Sequence, residues 1–346
     1  MVFEKNIDAY VLFDKAHRKY FLGVDTSFGA VIISKTDKVF VTDFRYEAYA
    51  KDVLGDSCEV ITSTSGNFFA TIASALGKLG ASKIGYDETK MTVDNYDGLK
   101  KALSGISLYK CSEAVFVRRA VKTDDEVAKI TEAQRIAEKA LKKTMPLIKP
   151  GVTEREVMAE LVYASLACGA DNMSFDPIIA FGANSARPHH NPSDKRLEKN
   201  DIILIDFGVK LDGYCSDMTR SFCLGDPDPK LAGIHGVVES ALNYAIAHIK
   251  PGMTGHEADS LARELIRANG YDAEFGHGLG HGVGLDIHEM PRVGVGSDTV
   301  LREGMVITIE PGIYLEGVGG VRIEQMAVIT SDGCRVLTDF DTSIDL

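Results

Sequence analysis

Lys149-Pro150-Gly151-Val152-Thr153 recurs 101 positions later as Lys250-Pro251-Gly252-Met253-Thr254, and the match continues at that offset in both directions. Upstream, Glu138 corresponds to Glu239, Ala140-Leu141 to Ala241-Leu242 and Ile148 to Ile249. Downstream, Glu156 corresponds to Glu257, Gly169 to Gly270 and Asp171 to Asp272. Each copy reads as a helix, a Pro-Gly turn, a capping box, a second helix and a glycine stop. Such correspondence predicts two halves of like build, each a helix pair followed by strands. The strand parts agree. One copy carries Asp206 and Asp217 and the other Glu310 and Glu324, each pair on two β runs joined by a glycine-containing turn (Asp212-Gly213; Gly317 to Gly320). A pseudo-twofold arrangement brings two acidic hairpins face to face.

Those carboxylates stand in apolar company. Asp206 interrupts Ile202-Ile203-Leu204-Ile205 and Phe207, and Glu310 interrupts Val306-Ile307-Thr308-Ile309 before a Pro-Gly break. An ionised carboxylate there costs several kcal/mol unless it is paired or holds a metal. A single such acid could be a strand-end residue paired with Arg220 or Arg322; four on matched hairpins argue for more. With His281, the residues Asp206, Asp217, Glu310 and Glu324 form a hard, oxygen-rich donor set, too negative for one divalent ion. Two cations sharing carboxylates would balance it and could activate water for hydrolysis.

His277 and His281 have the i,i+4 spacing of a helical zinc pair, yet Gly276, Gly278, Gly280, Gly282 and Gly284 argue against a helix. The run contains no GxGxxG either, so a dinucleotide loop is unsupported. Glycines in an extended or irregular segment instead allow close backbone approach. One histidine is expected as a ligand, with His277 and His288 nearby in supporting or proton-transfer roles. His189 and His190 follow Arg187-Pro188 in a polar stretch, and one of them could face a substrate. Arg292, four residues after His288, is a candidate clamp for a substrate carboxylate. There is no GxSxG and no cysteine beside an activating pair.

At 346 residues the chain is long enough for two domains. Its net charge of −12 and lack of a Lys/Arg stripe give no sign of a nucleic-acid partner. The six cysteines form no CxxC and read as buried free thiols. Met1 to Tyr10 has no apolar leader core, and no stretch approaches a membrane span. A cytoplasmic protein without membrane contact is expected. Residues 1–122 read as an α/β domain with a mixed sheet, with strands at Tyr20–Val24, Ala30–Ser34, Val39–Thr42, Glu59–Thr62 and Lys83–Tyr86 and a last run at Ser107–Lys110. Residues 123–346 open with a capping box at Thr123 and Glu126 and hold the candidate site.

With the five ligand phrases assembled, the chain resembles the pita-bread metallopeptidases, and within them the proline-specific branch of prolidase and Xaa-Pro aminopeptidase. The resemblance covers the whole chain and implies an α/β fold: a small creatinase-type domain over 1–122 and a pseudo-twofold pita-bread catalytic domain over 123–346. It implies two divalent ions, commonly Mn²⁺ or Co²⁺, although the donors also accept Zn²⁺ or Fe²⁺. Asp217 and Glu324 would bridge them, Asp206 would bind one, and His281 and Glu310 would complete the other. A bridging hydroxide would attack the carbonyl before proline, with Glu310 handling its proton. His189 and His288 match histidines that stabilise the tetrahedral intermediate and the substrate, His277 a further active-site histidine, and Arg292 an arginine that grips a dipeptide carboxylate. A proline-containing peptide is the expected substrate and a homodimer the expected assembly.

Two departures from the family pattern stand out. Gln325 follows Glu324 where many relatives carry an acid, and the amino-terminal domain is compact. With Arg292, the compact domain favours a dipeptidase over an Xaa-Pro aminopeptidase acting on longer peptides. Methionine aminopeptidase fits the Gly276–Glu289 phrase and the separate amino-terminal domain poorly, and creatinase-type chemistry does not use this metal set. The contrasting class is a non-enzymatic pita-bread binding protein, which typically loses ligands that this chain keeps.

Overall fold

The computed structural model describes residues 6–345. The chain forms two compact units, Met1–Arg119 and Ala120–Leu346. Of the amino-terminal segment read as lacking a leader, residues 1–5 lie outside the described range.

In the first unit the elements run β1 (Ala9–Leu12), α1 (Lys15–Leu22), β2 (Ala30–Ser34), β3 (Lys38–Thr42), α2 (Phe44–Leu54), β4 (Glu59–Thr62), α3 (Phe68–Lys78), β5 (Lys83–Tyr86), α4 (Val93–Ala102), β6 (Ser107–Lys110) and α5 (Ser112–Ala120). The six strands form one mixed sheet in the order β4-β3-β2-β1-β5-β6. The strand expected over Tyr20–Val24 is absent, because Tyr20 to Leu22 end α1 and Gly23 caps it. The Asp14 side chain caps the other end of that helix by accepting from Ala16 N, and Gly23 closes it at φ +75° with its N–H on Lys19 O. The strand that sequence reading misses is β1, a run of four buried residues pairing with both β2 and β5. So short an apolar run carries no helix-or-strand signature of its own.

The second unit begins with α6 (Asp124–Thr144) and α7 (Glu154–Ala167), both opened by complete capping boxes, Thr123 with Glu126 and Thr153 with Glu156. Strands β7 (Asn172–Met173), β8 (Ile178–Phe181), β9 (Ile202–Phe207), β10 (Val209–Leu211), β11 (Tyr214–Cys215) and β12 (Met218–Cys223) follow. The build then repeats with α8 (Pro229–His248) and α9 (Gly255–Ala268), the latter again boxed by Thr254 and Glu257. After these come β13 (Gly280–Gly282), β14 (Glu289–Val293), β15 (Val306–Ile309), β16 (Gly312–Leu315), β17 (Gly319–Arg322), β18 (Gln325–Ile329) and β19 (Cys334–Val336).

The central strands of the two halves correspond, although the second sheet is extended by β14 and β19. In the first, β9 pairs antiparallel with β8 and β12, and the small β10–β11 hairpin intervenes between β9 and β12. In the second, β15 pairs antiparallel with β13 and β18, with the β16–β17 hairpin between. Each half has its own apolar core: Ile136, Leu141, Leu161, Ile203 and Ile205 in one; Ile234, Leu242, Ile266, Ile307 and Ile329 in the other. The halves are stitched where β12 passes β17 and β18: Glu324 N donates to Thr219 O (3.1 Å) and Arg322 N to Ser221 Oγ (3.1 Å). That seam brings the two acid-bearing β regions together. Among the described residues no helix is long and apolar enough to cross a membrane.

Candidate active site

Asp206 sits on β9 opposite Thr219 of β12, Asp217 immediately precedes β12, Glu310 follows β15, and Glu324 joins β17 to β18. His281 is the middle residue of β13. All five line one cavity of about 1060 Å³, together with His189, His277, His288 and Arg292. Residues from both halves therefore meet in a single pocket.

Potential donor atoms of Asp206, Asp217 and Glu324 lie within 4.8 Å of one another. His281 Nε2 extends the group, 3.6 Å from Asp217 Oδ2 and 3.4 Å from Glu310 Oε1. Backbone contacts aim that ring. His281 N donates to Thr308 Oγ1 (3.0 Å), and Nδ1 lies 3.1 Å from Gly282 O. A proton on Nδ1, donated to that carbonyl, leaves the Nε2 lone pair directed at the acids.

The charge in this group is poorly compensated. Burial, compounded by Glu324, Asp206 and Glu310, pushes the Asp217 carboxyl well above the usual carboxylate range. Burial and then Glu310 and Asp206 do the same to Glu324, and burial raises Glu310. Arg322 is the guanidinium that faces the acids: its Nη2 lies 2.5 Å from Asp206 Oδ2. The pairing of Asp206 with Arg322 thus exists, but it leaves the other carboxylates uncovered. Asp206 Oδ1 and Glu324 Oε1 are buried with no hydrogen-bond partner among the described residues. Orphaned carboxylate oxygens beside a lone-pair-bearing imidazole are what a divalent cation needs, so the residues fit a metal centre.

The other histidines are distinct in their surroundings. His277 Nδ1 lies 2.8 Å from Gly278 O and its Nε2 2.9 Å from the Tyr314 hydroxyl, which accepts from Arg322 Nη1 (2.7 Å). A chain of contacts therefore runs from His277 through Tyr314 and Arg322 to Asp206. The His288 ring stands edge-on to that of His281, with centroids 4.3 Å apart. Burial depresses the pKa of His277, His281 and His288, with His281 and His189 adding to the effect on His288. Neutral imidazoles are favoured at all three. The His190 ring is buried against Glu154. Arg292 faces His281 across the β13–β14 pair, is exposed, and donates to Val295 O (3.2 Å).

Tyr314 escapes sequence reading, because an aromatic in a short strand four residues after Glu310 gives no sign of a polar role. Gln325 helps to hold the seam, its Oε1 accepting from Nη2 of the fully buried Arg220 (3.1 Å). Arg220 also donates to the carbonyls of Thr219, Glu324, Phe340 and Asp341, so it braces the backbone there rather than the carboxylates of the cluster.

The glycine run does what close approach requires. A Cβ on Gly280 would collide with Thr308 O, and one on Gly282 with Met290 O, because β13 is pressed between β14 and β15. Gly280→Ala is expected to lower stability by about 3 kcal/mol or more, since backbone must move to admit the methyl. A loss smaller than about 1 kcal/mol in urea denaturation would show that the segment can relax.

Residues 128–331 match the sequence profile of metallopeptidase family M24, and residues 3–121 that of the creatinase/prolidase N-terminal domain. The Xaa-Pro dipeptidase of Pyrococcus furiosus is 37% identical over 337 residues, 97% of this chain and 94% of that one. Among solved structures, the Xaa-Pro dipeptidase from Bacillus anthracis superposes with a TM-score of 0.94 at 39% identity, covering 98% of this chain and 95% of the other. The X-Pro aminopeptidase from Thermotoga maritima MSB8 gives a TM-score of 0.92 at 37% identity, over 98% and 97% of the two chains.

Proposed function

The chain belongs to metallopeptidase family M24, and from that premise we propose that it is an Xaa-Pro dipeptidase that holds two divalent cations. Asp206, Asp217, His281, Glu310 and Glu324 would hold them. Cations held there would supply Lewis acidity toward the scissile carbonyl and acidify a water at neutral pH. Mn²⁺ and Co²⁺ suit the mainly carboxylate set.

The chain's own residues would do the remaining work. Glu310, whose Oε1 accepts from Thr308 Oγ1 (3.1 Å), would take the proton of the attacking water. His189 and His288, on the pocket wall, would donate N–H to the carbonyl oxygen as charge develops there. His277 would act through Tyr314, keeping that hydroxyl aligned.

The observation that carries the dipeptidase reading is Arg292 standing directly across β13–β14 from His281. Successive Cα atoms are about 3.8 Å apart, so a dipeptide's carboxylate lies one residue beyond the scissile bond, within an arginine's reach. A peptide continuing past proline puts a neutral amide there. Similarity to the Thermotoga maritima aminopeptidase supports a second reading, cleavage of longer Xaa-Pro peptides.

A length series from Xaa-Pro to Xaa-Pro-Yaa and longer peptides, with Mn²⁺-loaded protein, separates the two. Preference for the dipeptide is expected, and equal kcat/KM on long peptides would sink the dipeptidase assignment. Arg292→Ala is expected to raise KM for the dipeptide by about 10- to 100-fold with kcat little altered, as loss of a charge-assisted hydrogen bond predicts. An unchanged KM would remove Arg292 from that role.

A further inference from the structure

Glu154, the first residue of α7, is fully buried, and its carboxylate is a hub. Phe181 N (2.8 Å) and Asn184 Nδ2 (2.9 Å) donate to Oε1. Ser193 N (2.8 Å) and Ser193 Oγ (2.5 Å) donate to Oε2, and His190 Nε2 lies 2.9 Å from the same oxygen. Phe181 ends β8, Asn184 lies in the following 3₁₀ turn, and His190 and Ser193 flank the far side of the loop. One carboxylate therefore fastens the loop on both sides of His189, which lines the pocket. Burial alone would raise the pKa of Glu154, yet the bonds from Asn184, Ser193, His190 and Phe181 hold it below the ordinary value. The N-terminus of α7 favours the same charge.

The second half uses the same device. Asp259 of α9, also fully buried, accepts from Leu279 N (2.8 Å) and from Arg263 (2.6 and 2.9 Å). Arg263 in turn donates to Phe275 O (2.9 Å) and His277 O (2.6 Å). In each half, a buried acid on the second helix secures the segment that delivers histidines to the pocket.

We propose that Glu154 is a positioning residue for peptide hydrolysis: its buried carboxylate locks the 182–193 loop so that His189 is presented to the substrate carbonyl. This rests on the role given to His189 above. A lock of this kind matters because a displacement of about 1 Å at a reacting group can cost on the order of 100-fold in rate.

The test is a double-mutant cycle of E154Q and H189A in the full-length, metal-loaded chain, with amide hydrogen exchange across 182–193 and metal content measured on the same preparations. E154Q is expected to lower kcat about 10- to 100-fold with KM and metal content little changed. It should speed exchange in the loop but not in α9, and lower kcat no further once His189 is alanine. Additive losses in the double variant would overturn the proposal, as would unchanged loop exchange. If the wild-type protein fails to cleave Xaa-Pro substrates, the functional assignment falls, while the exchange measurement still decides whether Glu154 locks the loop. If E154Q does not fold, Ser193→Ala, which removes one contact to the hub, carries the same cycle, with a smaller loss that again vanishes without His189.

Discussion

Asp217→Asn is expected to lower peptidase activity on the order of 1000-fold or more, and at the same time to raise the thermal stability of the metal-free protein. The two effects have one origin. Asp217 is 5% exposed and pairs with no guanidinium or ammonium among the described residues; its polar neighbour is His281, at 3.6 Å. Burial and the nearby Glu324, Asp206 and Glu310 push its carboxyl well above the usual range. Folding without metal must either keep a proton on it or place its charge among three other acids, and a neutral amide of the same shape avoids both costs.

Divalent cations reverse the order. A ligand bound to the folded state adds RT ln(1 + [L]/Kd), about 2.7 kcal/mol at 100 times Kd, and the wild-type site should gain far more of this than the amide. Melting curves of the two proteins, with and without Mn²⁺, are expected to cross. Destabilisation by Asp217→Asn in both conditions would mean that the acids are not in mutual conflict.

Arg322→Met is expected to cost about 3–5 kcal/mol, the usual result of leaving one member of a buried ion pair alone. Arg322 is 3% exposed, and every nitrogen of its guanidinium is engaged: Nη2 with Asp206 Oδ2 (2.5 Å), Nη1 with the Tyr314 hydroxyl (2.7 Å) and Nε with Thr219 Oγ1 (3.1 Å). Burial opposes its charge, but Tyr314, Asp206 and Glu310 hold its pKa well above the ordinary arginine value. Methionine fills similar volume and leaves Asp206 without its counterion and Thr219 without a donor, in a region where Thr219 also binds Glu324 (2.8 Å). Urea denaturation of metal-free protein measures the effect as a lower midpoint at constant slope. A loss under about 1 kcal/mol would show that the acid group is balanced by something other than Arg322.

Much of the second unit is legible in the sequence because its signals are local. A capping box needs only Thr and Glu three residues apart, and the boxes at Thr153 and Thr254 are complete in the structure. The repeat they announce is enough to predict matched halves, and the mixed α/β fold and metallopeptidase resemblance agree with the comparisons. Asp206 and Glu310 are visible as acids in apolar strands, where burial demands an explanation.

What escapes depends on contacts far along the chain. Tyr314 gains its polar role from His277 and Arg322. Glu154 reads as a helix-start acid, and its partners lie 27 to 39 residues away. Residue type alone offers His189 and His190 as equals, and the family resemblance points to His189; both line the pocket, but it is His190 that is tied to Glu154 by a long-range contact. The misread Tyr20–Val24 shows the opposite weakness, a short apolar run whose helical state is set by Asp14 and Gly23.

Divalent-cation stoichiometry is the most direct test of a site shared between the two halves. The protein is stripped with chelator, reconstituted with Mn²⁺, desalted and quantified for metal per chain alongside Xaa-Pro hydrolysis. Two ions per chain, with activity rising as the second is bound, are expected. Full hydrolytic activity with a single ion, or no tightly held ion at all, would contradict the shared two-cation site.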